Sequence, residues 1–416
     1  MKKATKIVSI AALLGLSAAW LAPGVKATVP NIPSTSQYSE ASQIISTLNY
    51  LIGLINTNVT TQTLAQFATP RNLLDNGQMQ VQQRGTGTVT CGTTTIPSSA
   101  YSADRWGCNV NVSSGAGTLQ VITSNLPALP LPSFNAGMVF YRTSGALAQP
   151  QCVMQEIPTT KIENAQGQPL VLSTYIQGLA NMLAETTTVN AYVFYGTGTN
   201  EGLQSFTASP AITPAFTGIN SSLTTAWTIT SAWARYSYAF SLPSTATEAA
   251  VALCWTPTTG GTAGTTDGFR FTGVQLEVSS SGLPSAFETL PYNYEIQVAQ
   301  QYYVQWADNK AATFVLPMTC TETTSGTTAA CLWSWPQTMF KAPTIAVATA
   351  TSFGMTKVAD GTAEACTTLA IVASTATVND AKFTCAVSET AAVGTMHIGL
   401  YANTGVANTV TVSADF

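Results

Sequence analysis

Hydrophobic and polar residues alternate along this chain from Asn72 onward, in short runs bounded by Gly, Pro, Ser or Thr. Successive side chains of a β-strand point to opposite faces, so such alternation predicts strands with one buried face. No helical spacing separates consecutive runs, and many short strands joined by turns are typical of sandwiches and jelly rolls. The pattern therefore predicts an all-β protein, and three clear strands are Val189–Tyr195, Arg235–Phe240 and Val251–Trp255.

One stretch, from Glu40 to Phe67, has helical spacing instead. Hydrophobic residues recur there at intervals of three and four, which predicts a helix with one apolar seam. Ile and Leu in such a seam are compatible with a trimer. Two interpretations stay open, a trimeric helical stalk and a single helix that packs on its own domain. The seam residues are Ile45, Leu48, Ile52, Ile55 and Val59.

The N-terminal 27 residues have the pattern of an export signal. Lysines 2, 3 and 6 precede an apolar run from Ile7 to Ala22, and small residues surround a cleavage point after Ala27. This order is typical of a signal peptide, and the apolar run is short for a membrane span. An uncleaved apolar anchor is the alternative. Residues 28–39 are rich in Pro and Ser and are interpreted as a linker.

A domain boundary is predicted near residues 285–300, where the segment Glu295 to Trp306 is amphipathic and short enough for one helix. The predicted organisation is a leader at 1–27, a linker and helical stalk at 28–70, a jelly roll at 71–292 and a C-terminal β domain at 293–416. The predicted fold class is therefore a jelly-roll β-sandwich followed by a smaller β-sandwich, with a short N-terminal helix. The stretch Thr256–Thr266 is predicted to be a flexible loop.

Charged residues are scarce, which narrows the classes of function. The chain has 15 Lys and Arg and 19 Asp and Glu, only 8% of all residues, and its net charge is −4. With 45% hydrophobic residues it is not a disordered chain, which needs low hydrophobicity and high net charge. Nucleic-acid binding requires a basic face that displaces counterions, and the sequence has no run of Lys or Arg. We therefore expect no nucleic-acid partner.

The eight cysteines form an even set in a chain with an export signal, so disulfides are expected. Proximity in the sequence favours three short-range pairs and leaves a fourth pair over, although eight cysteines allow 105 connectivities. No CxxC spacing occurs and His397 is the only histidine, which argues against zinc. The favoured pairs are Cys91 with Cys108, Cys152 with Cys254, Cys320 with Cys331, and Cys366 with Cys385.

The sequence predicts no enzyme. His397 lies in an alternating segment and no second histidine exists, which argues against Ser-His-Asp and Cys-His catalysis. No glycine-rich phosphate loop leads from a strand into a helix. A glycan depolymerase needs only two carboxylates at suitable separation, so it stays as an alternative.

Several segments, in order along the chain, resemble a family of bacteriophage tail and fibre proteins. The family pattern begins "NLL-NG-F--Q-RG", continues to "Y-ADRW" and later has "GVQLE", "TPFE" and "CQRYY". The matching segments here are Asn72–Gly85, Tyr101–Trp106, Gly273–Glu277, Pro284–Glu288 and Gln300–Tyr303, with the C-terminal Ser413–Phe416 similar to the family's "DAEL".

The resemblance implies a carbohydrate-binding-module-like jelly roll followed by a small β domain, in a virion appendage that touches the host surface. The expected partners are a host-surface glycan, other virion proteins and further copies of the chain, with a trimer as the first candidate. No cofactor is expected, although jelly rolls of this type often hold a structural calcium ion, for which the sequence locates no site. The expected location is the virion or the extracellular space after export.

Two other functions are alternatives to this expectation. One is a secreted bacterial surface adhesin or carbohydrate-binding protein of prophage origin, on the bacterial cell surface. The other is a spike protein that has only a structural role and binds no ligand.

Tryptophans are the candidate glycan platforms, because a sugar ring can stack on an aromatic face. Trp333 and Trp335 share one face of a predicted strand beside a predicted disulfide loop, and Trp227, Trp233 and Trp255 are further candidates. In Asp104-Arg105-Trp106, alternation places Trp106 in the core and Arg105 against Glu277 or Glu288, although Arg105 and Trp106 could instead grip a sugar. A structural role is favoured for six residues: Arg84, Asp104, Arg105, Trp106, Glu277 and Phe287.

Overall fold

The computed structural model describes residues 70–85, 87–91, 101–110, 117–128, 134–144, 150–201, 216–218, 220–258, 261–307, 315–324, 328–347, 353–357, 363–372, 376–387, 396–402 and 409–415. The predicted leader, linker and stalk lie outside these residues. Thr69–Phe416 forms one compact unit. Within the described ranges, no helix has both the length and the apolar character needed to span a bilayer.

The first part of this unit is a sandwich of two antiparallel sheets. Its six-stranded sheet has the order β1-β3-β4-β11-β6-β9 and its five-stranded sheet the order β2-β5-β10-β7-β8. The strands are β1 (Val89–Thr90), β2 (Gly107–Val110), β3 (Gly117–Ile122), β4 (Gly137–Arg142), β5 (Gln151–Ile157), β6 (Pro169–Gly178), β7 (Thr188–Gly196), β8 (Asn220–Thr228), β9 (Ala234–Ser241), β10 (Glu248–Trp255) and β11 (Gly268–Val278).

Consecutive strands cross repeatedly between the two sheets, as in a jelly roll. β4 to β5, β6 to β7, β8 to β9 and β10 to β11 each pass from one sheet to the other. The alternating segments predicted this arrangement, and the all-β class with a jelly-roll sandwich is confirmed.

The core lies between the sheets, where every second residue of each strand points inward. In β11, Phe269 and Phe271 are fully buried, and Phe271 packs edge-to-face on Trp106 with ring centroids 6.0 Å apart. Full burial of one such ring contributes about 2 kcal/mol or more from the hydrophobic effect. Arg270 lies between these two phenylalanines in the sequence, and therefore points away from the core.

Three short helices connect the strands: α1 (Thr159–Ile162), α2 (Ala180–Glu185) and α3 (Tyr292–Ala299). α3 follows Pro291, whose fixed φ suits a helix start. The helical segment predicted at Glu295 to Trp306 is wrong in its bounds, because the helix ends at Ala299 and a strand begins at Tyr303. The alternation of Tyr303, Val304 and Gln305 is a strand pattern that explains the change.

The C-terminal part contains a closed barrel of six strands, in the order β13-β14-β18-β17-β16-β19, and a three-stranded sheet, β12-β20-β15. Pairing of β13 with β19 closes the barrel and removes the exposed strand edges that an open sheet would have. The strands are β12 (Tyr303–Ala307), β13 (Val315–Thr324), β14 (Thr328–Ser334), β15 (Thr344–Val347), β16 (Phe353–Lys357), β17 (Ala363–Ile371), β18 (Asp380–Val387), β19 (Met396–Ala402) and β20 (Thr409–Ser413).

All four disulfides favoured by proximity are present, and no cysteine is free. Two of them link residues that lie directly opposite each other on paired strands, since Cys152 faces Cys254 across β5 and β10, and Cys320 faces Cys331 across β13 and β14. The disulfide prediction is confirmed.

Candidate functional site

The segments that resemble the phage family meet in three dimensions. Asn72 donates its side-chain amide to the carbonyl oxygen of Val274 at 2.9 Å, and its Oδ1 accepts the backbone N–H of Leu276 at 2.9 Å. Its own N–H donates to Glu288 Oε2 at 2.9 Å. Gly273 has φ +60°, and a Cβ there would lie 2.7 Å from the ring of Phe134. These residues therefore hold the first segment against β11 rather than form an open site.

Arg84 joins the sandwich to the C-terminal strands. Its guanidinium forms ion pairs with Asp104, at 3.5 Å, and with Asp415. It also stacks on the rings of Tyr303, at 3.6 Å, and Tyr101, at 4.6 Å from the centroids. Burial raises the pKa of Asp104 to about 6, although the positive charge of Arg84 acts to lower it. This cluster is buried, and its charges are paired within the fold.

The predicted environment of Arg105 is wrong. Arg105 lies in a turn with φ +71° instead of on a strand, because β2 begins only at Gly107. It pairs with Asp75 at 3.5 Å, donates to the carbonyl oxygen of Glu156 at 2.7 Å and stacks on Tyr302. Its partners are therefore neither Glu277 nor Glu288. Trp106 is fully buried and donates to the carbonyl oxygen of Asn76 at 3.0 Å.

Glu277 and Phe287 fix the segment that follows β11. Glu277 accepts hydrogen bonds from the N–H of Ser285 at 2.7 Å and from its hydroxyl at 2.6 Å. Phe287 packs on Phe134 with ring centroids 5.3 Å apart. Both side chains are buried, so neither faces a ligand.

Four of the five candidate tryptophans are core residues, which corrects the prediction of Trp227, Trp333 and Trp335 as ligand platforms. Trp333 is fully buried inside the barrel, packed on Trp335 and Phe383. Trp227 is 6% exposed and Trp255 is fully buried. The alternating pattern identifies residues that share a face, but not which of the two faces the rest of the chain covers.

Trp233 differs from the other four, because it is only half-buried. It lies in the connection between β8 and β9, and its Nε1 donates to the carbonyl oxygen of Asn125 at 3.0 Å. That bond fixes the indole plane while part of the ring stays open to solvent. Trp233 is therefore the one candidate tryptophan that the described structure leaves available for stacking.

A row of outward-pointing side chains crosses the six-stranded sheet near Trp233. Gln120 on β3 faces Val139 on β4, which faces Arg270 on β11, which faces Gln177 on β6. Gln120, Val139 and Arg270 each lie between two inward-pointing core residues, and Gln177 follows inward-pointing Ile176, so all four point to the outer face. We call these four residues the Arg270 row. With strands about 4.8 Å apart, the row is about 14 Å long.

Hydrogen bonds fix the polar end of the row. Arg270 Nη1 donates to Gln177 Oε1 at 3.0 Å, and Gln177 Nε2 donates to the carbonyl oxygen of Ser231 at 2.9 Å. Ser231 precedes Trp233 by two residues, so the row continues into the loop that carries the indole. Gln120, Arg270 and Gln177 are all half-buried. The result is a row of two amides, a guanidinium and one valine, whose Gln177 end is bonded to the loop that carries Trp233.

The outer face of the five-stranded sheet has a different character. Its side chains on β5 and β10 include buried apolar groups such as Met154, Ala252 and Cys254, whereas Asn190 on β7 and Thr224 on β8 are polar and less buried. Tyr192 stacks on Phe194 with ring centroids 5.6 Å apart. The outer face of the six-stranded sheet is the better candidate site, because it combines a half-buried arginine and two amides with a half-buried indole in the loop to which Gln177 is bonded.

A carboxyl pair, Glu201 and Glu248, lies at one end of β10. Glu248 accepts the N–H groups of Gly198 at 3.1 Å and Glu201 at 2.9 Å, and burial raises its pKa to about 7. Hydrogen bonds from Thr217 lower the pKa of Glu201. Both carboxyl groups therefore bond the backbone or hydroxyl of the adjacent turn. No set of three or more potential metal-ligating side chains occurs among the described residues.

Sequence reasoning missed Gln120, Gln177 and Arg270. A signal for one of them exists, because Phe269-Arg270-Phe271 places a charged residue between two large hydrophobic residues on a predicted strand. In a chain with so few charges, such an arginine is notable. The alignment of the row depends on strand register across four strands, and local sequence contains no information on that register.

Comparison with known proteins gives no family assignment. No family model matches the chain, and no curated protein matches it in sequence. Among solved structures, the enzymatically active domain of tailspike protein 4 from bacteriophage CBA120 is similar at 12% identity and TM-score 0.30, covering 50% of this chain and 22% of that chain. A family 4 carbohydrate-binding module is similar at 13% identity and TM-score 0.25, covering 49% of this chain and 99% of that chain.

A xylan-binding domain of family 22 is a third similar structure, at 11% identity and TM-score 0.25, covering 45% of this chain and 100% of that chain. At these identities and TM-scores the similarities carry no argument about function.

Proposed function

We propose that this protein is a non-enzymatic component of a phage virion, a fibre or spike, that recognises a glycan on the host surface. The observation that supports this most is the Arg270 row beside Trp233, which lies on a rigid sheet and is half open to solvent. The second candidate is a secreted bacterial surface adhesin of prophage origin, which would use the same face.

The chemistry of the row suits carbohydrate. Amide and guanidinium groups form hydrogen bonds with sugar hydroxyls, and an indole face packs on the apolar face of a sugar ring. The internal bonds of Arg270 and Gln177 hold these groups in place before a ligand arrives, which reduces the entropy lost on binding. A scaffold of strands holds such a site more exactly than a loop does.

The four disulfides favour a location outside the cytoplasm, because disulfides persist mainly in oxidising compartments. They support export, and they suit a particle that survives outside cells. Proteomic mass spectrometry of purified virions separates the two candidates. A peptide that begins at Thr28 in particles supports a processed virion protein, whereas recovery only from the bacterial envelope supports the adhesin.

The glycan-binding proposal is tested with the full chain and polysaccharide purified from the host surface. We expect Trp233→Ala and Gln177→Ala each to weaken binding about tenfold in isothermal titration calorimetry, since each removes one contact of about 1.4 kcal/mol. Leu332→Ala, on the outer surface of the barrel where Leu332 is 53% exposed, is the control and should bind normally. Unchanged binding of both row variants would show that the glycan binds elsewhere.

A further inference from the structure

We propose that the glycan recognised at the Arg270 row is acidic and places a carboxylate or a phosphodiester against Arg270. This inference rests on the proposed function and adds the charge of the ligand to it.

The chain has six arginines, and the structure describes all of them. Four form ion pairs with internal carboxylates and so have their charge balanced within the fold. The pairs are Arg71 with Glu288, Arg84 with Asp104 and Asp415, Arg105 with Asp75, and Arg142 with Glu185 and Asp267. Internal pairing is therefore the rule for arginine in this protein.

Arg235 and Arg270 are the exceptions among the described ion pairs, and both point to the outer face of the six-stranded sheet. Arg235 donates to the carbonyl oxygen of Ser285 at 2.6 Å and to Ser173 Oγ at 2.9 Å. The N–H of Ser285 in turn donates to the carboxylate of Glu277, so Arg235 is linked to a carboxylate through Ser285. The hydrogen bonds of the Arg235 guanidinium therefore fix the segment that follows β11.

Arg270 has no such arrangement. Its one side-chain hydrogen bond in the described structure goes to the neutral amide of Gln177, whose other bond goes to a backbone carbonyl. Its neighbour on the other side is Val139, which clusters with Tyr141 and Leu179 on the same outer face. The Nε of Arg270 is buried and has no hydrogen-bond partner. A positive charge thus lies half-buried beside apolar groups, and it forms no ion pair with a carboxylate among the residues that the structure describes.

A half-buried charge without a counterion costs free energy, which an anionic ligand would recover. The apolar neighbours lower the local dielectric constant and strengthen the attraction for an anion. Arginine suits this role, because its planar fork of N–H groups matches carboxylate and phosphate oxygens. The net negative charge of the chain repels anions in general. Arg270 therefore favours a ligand whose anionic group reaches it, rather than any polyanion.

The test measures binding of the full chain to three groups of probes. The carboxylate probes are polygalacturonate, alginate and hyaluronan, each also in a carboxyl-reduced form. The phosphodiester probe is poly(glycerol phosphate), and the neutral probes are xylan, galactan and mixed-linkage glucan. We expect binding to a carboxylate or a phosphodiester probe, with affinity that falls as salt rises. If a carboxylate probe binds, its carboxyl-reduced form should bind at least tenfold more weakly.

Three variants separate charge from folding. Arg270→Gln should weaken binding to the acidic probe about tenfold or more, Arg270→Lys should retain more affinity than Arg270→Gln, and Arg71→Gln should bind as the unaltered protein does. Binding of a neutral probe that Trp233→Ala weakens but Arg270→Gln does not would overturn the acidic-ligand proposal and leave the proposed function standing. Binding of no probe, acidic or neutral, would count against both.

Discussion

Glu295 shows how burial controls the charge of a single side chain in this protein. It lies on α3, is 7% exposed, and its Oε2 has no hydrogen-bond partner. Burial, together with the nearby carboxylates of Asp75 and Glu288, raises the pKa of Glu295 to about 7, against the opposing effects of Lys161 and Gln80. The carboxyl group therefore takes up a proton near neutral pH.

This raised pKa makes stability depend on pH. Between the ordinary pKa of 4.5 and about 7, the folded protein holds a proton that the unfolded chain has released. Stability from this group is therefore fully present below pH 4.5 and falls as pH rises through 7. Glu295→Gln keeps the shape and removes the charge. We expect it to stabilise the protein at pH 8 by on the order of 2 kcal/mol, and to have little effect at pH 4.

Urea denaturation at both pH values measures the difference. Glu163→Gln, at an exposed position close to α1, is the matched control and should change stability little at either pH. A Glu295→Gln variant that loses stability between pH 4 and 8 as steeply as the unaltered protein would contradict the assignment.

Prediction from sequence was weakest for individual side chains. Trp333 and Trp335 were correctly placed on one face, yet that face is the barrel interior. Arg105 was assigned to a strand and lies in a turn. In both cases the deciding contact comes from residues distant in sequence, which no local pattern contains.

Secondary-structure elements were predicted better, because alternation and turn residues are local signals. β7, β9 and β10 contain the three strands that the pattern predicted most clearly. Proximity also indicated three of the four disulfides, and the longest one, Cys152–Cys254, followed by elimination rather than from its own spacing. The strand order that places these two cysteines opposite each other is a property of the whole sheet.

The disulfides should contribute unequally to stability. Cys152–Cys254 spans 102 residues and Cys320–Cys331 spans 11. In the chain-entropy account a longer loop restricts the unfolded state more, and the two differ by about 2 kcal/mol. We expect the double variant Cys152→Ala with Cys254→Ala to lose about that much more unfolding free energy than Cys320→Ala with Cys331→Ala.

Guanidinium denaturation of the two double variants, with near-UV circular dichroism to check native packing, provides the comparison. Equal losses would show that packing around each bridge, rather than loop length, determines its contribution.

At the scale of the whole molecule, a few long-range contacts join the sandwich to the C-terminal strands. Arg84 and Asp415 are 331 residues apart in sequence and form a buried ion pair. Next to it, the N–H of Ala414 donates to the carbonyl oxygen of Tyr302 at 2.7 Å. The segments that resemble the phage family supply both sides of this junction, which gives those segments a structural explanation independent of any ligand.

Loss of this junction should be costly. Arg84→Met leaves Asp104 and Asp415 buried without a counter-charge, and we expect it to destabilise the protein by about 3 kcal/mol. Differential scanning calorimetry should then show the C-terminal strands melting apart from the sandwich. Arg71→Met breaks the more exposed pair with Glu288 and should cost about 1 kcal/mol or less. A single transition with an unchanged midpoint in Arg84→Met would contradict this role.

At this scale, the sequence predicted the fold class but not the candidate binding site. The alternation of hydrophobic and polar residues predicted the all-β jelly roll, because the buried face of each strand can be recognised from that strand's own sequence. The Arg270 row exists only when β3, β4, β11 and β6 lie side by side in register. Closure of the C-terminal barrel likewise depends on the pairing of β13 with β19, which are far apart in sequence.

The central claim is that the outer face of the six-stranded sheet binds glycan, and backbone hydrogen exchange with and without host polysaccharide tests it most directly. We predict slower exchange in β4, β6 and β11 and in the connection that carries Trp233, with the C-terminal barrel unchanged. Protection confined to the barrel strands, or to the five-stranded sheet, would contradict the claim.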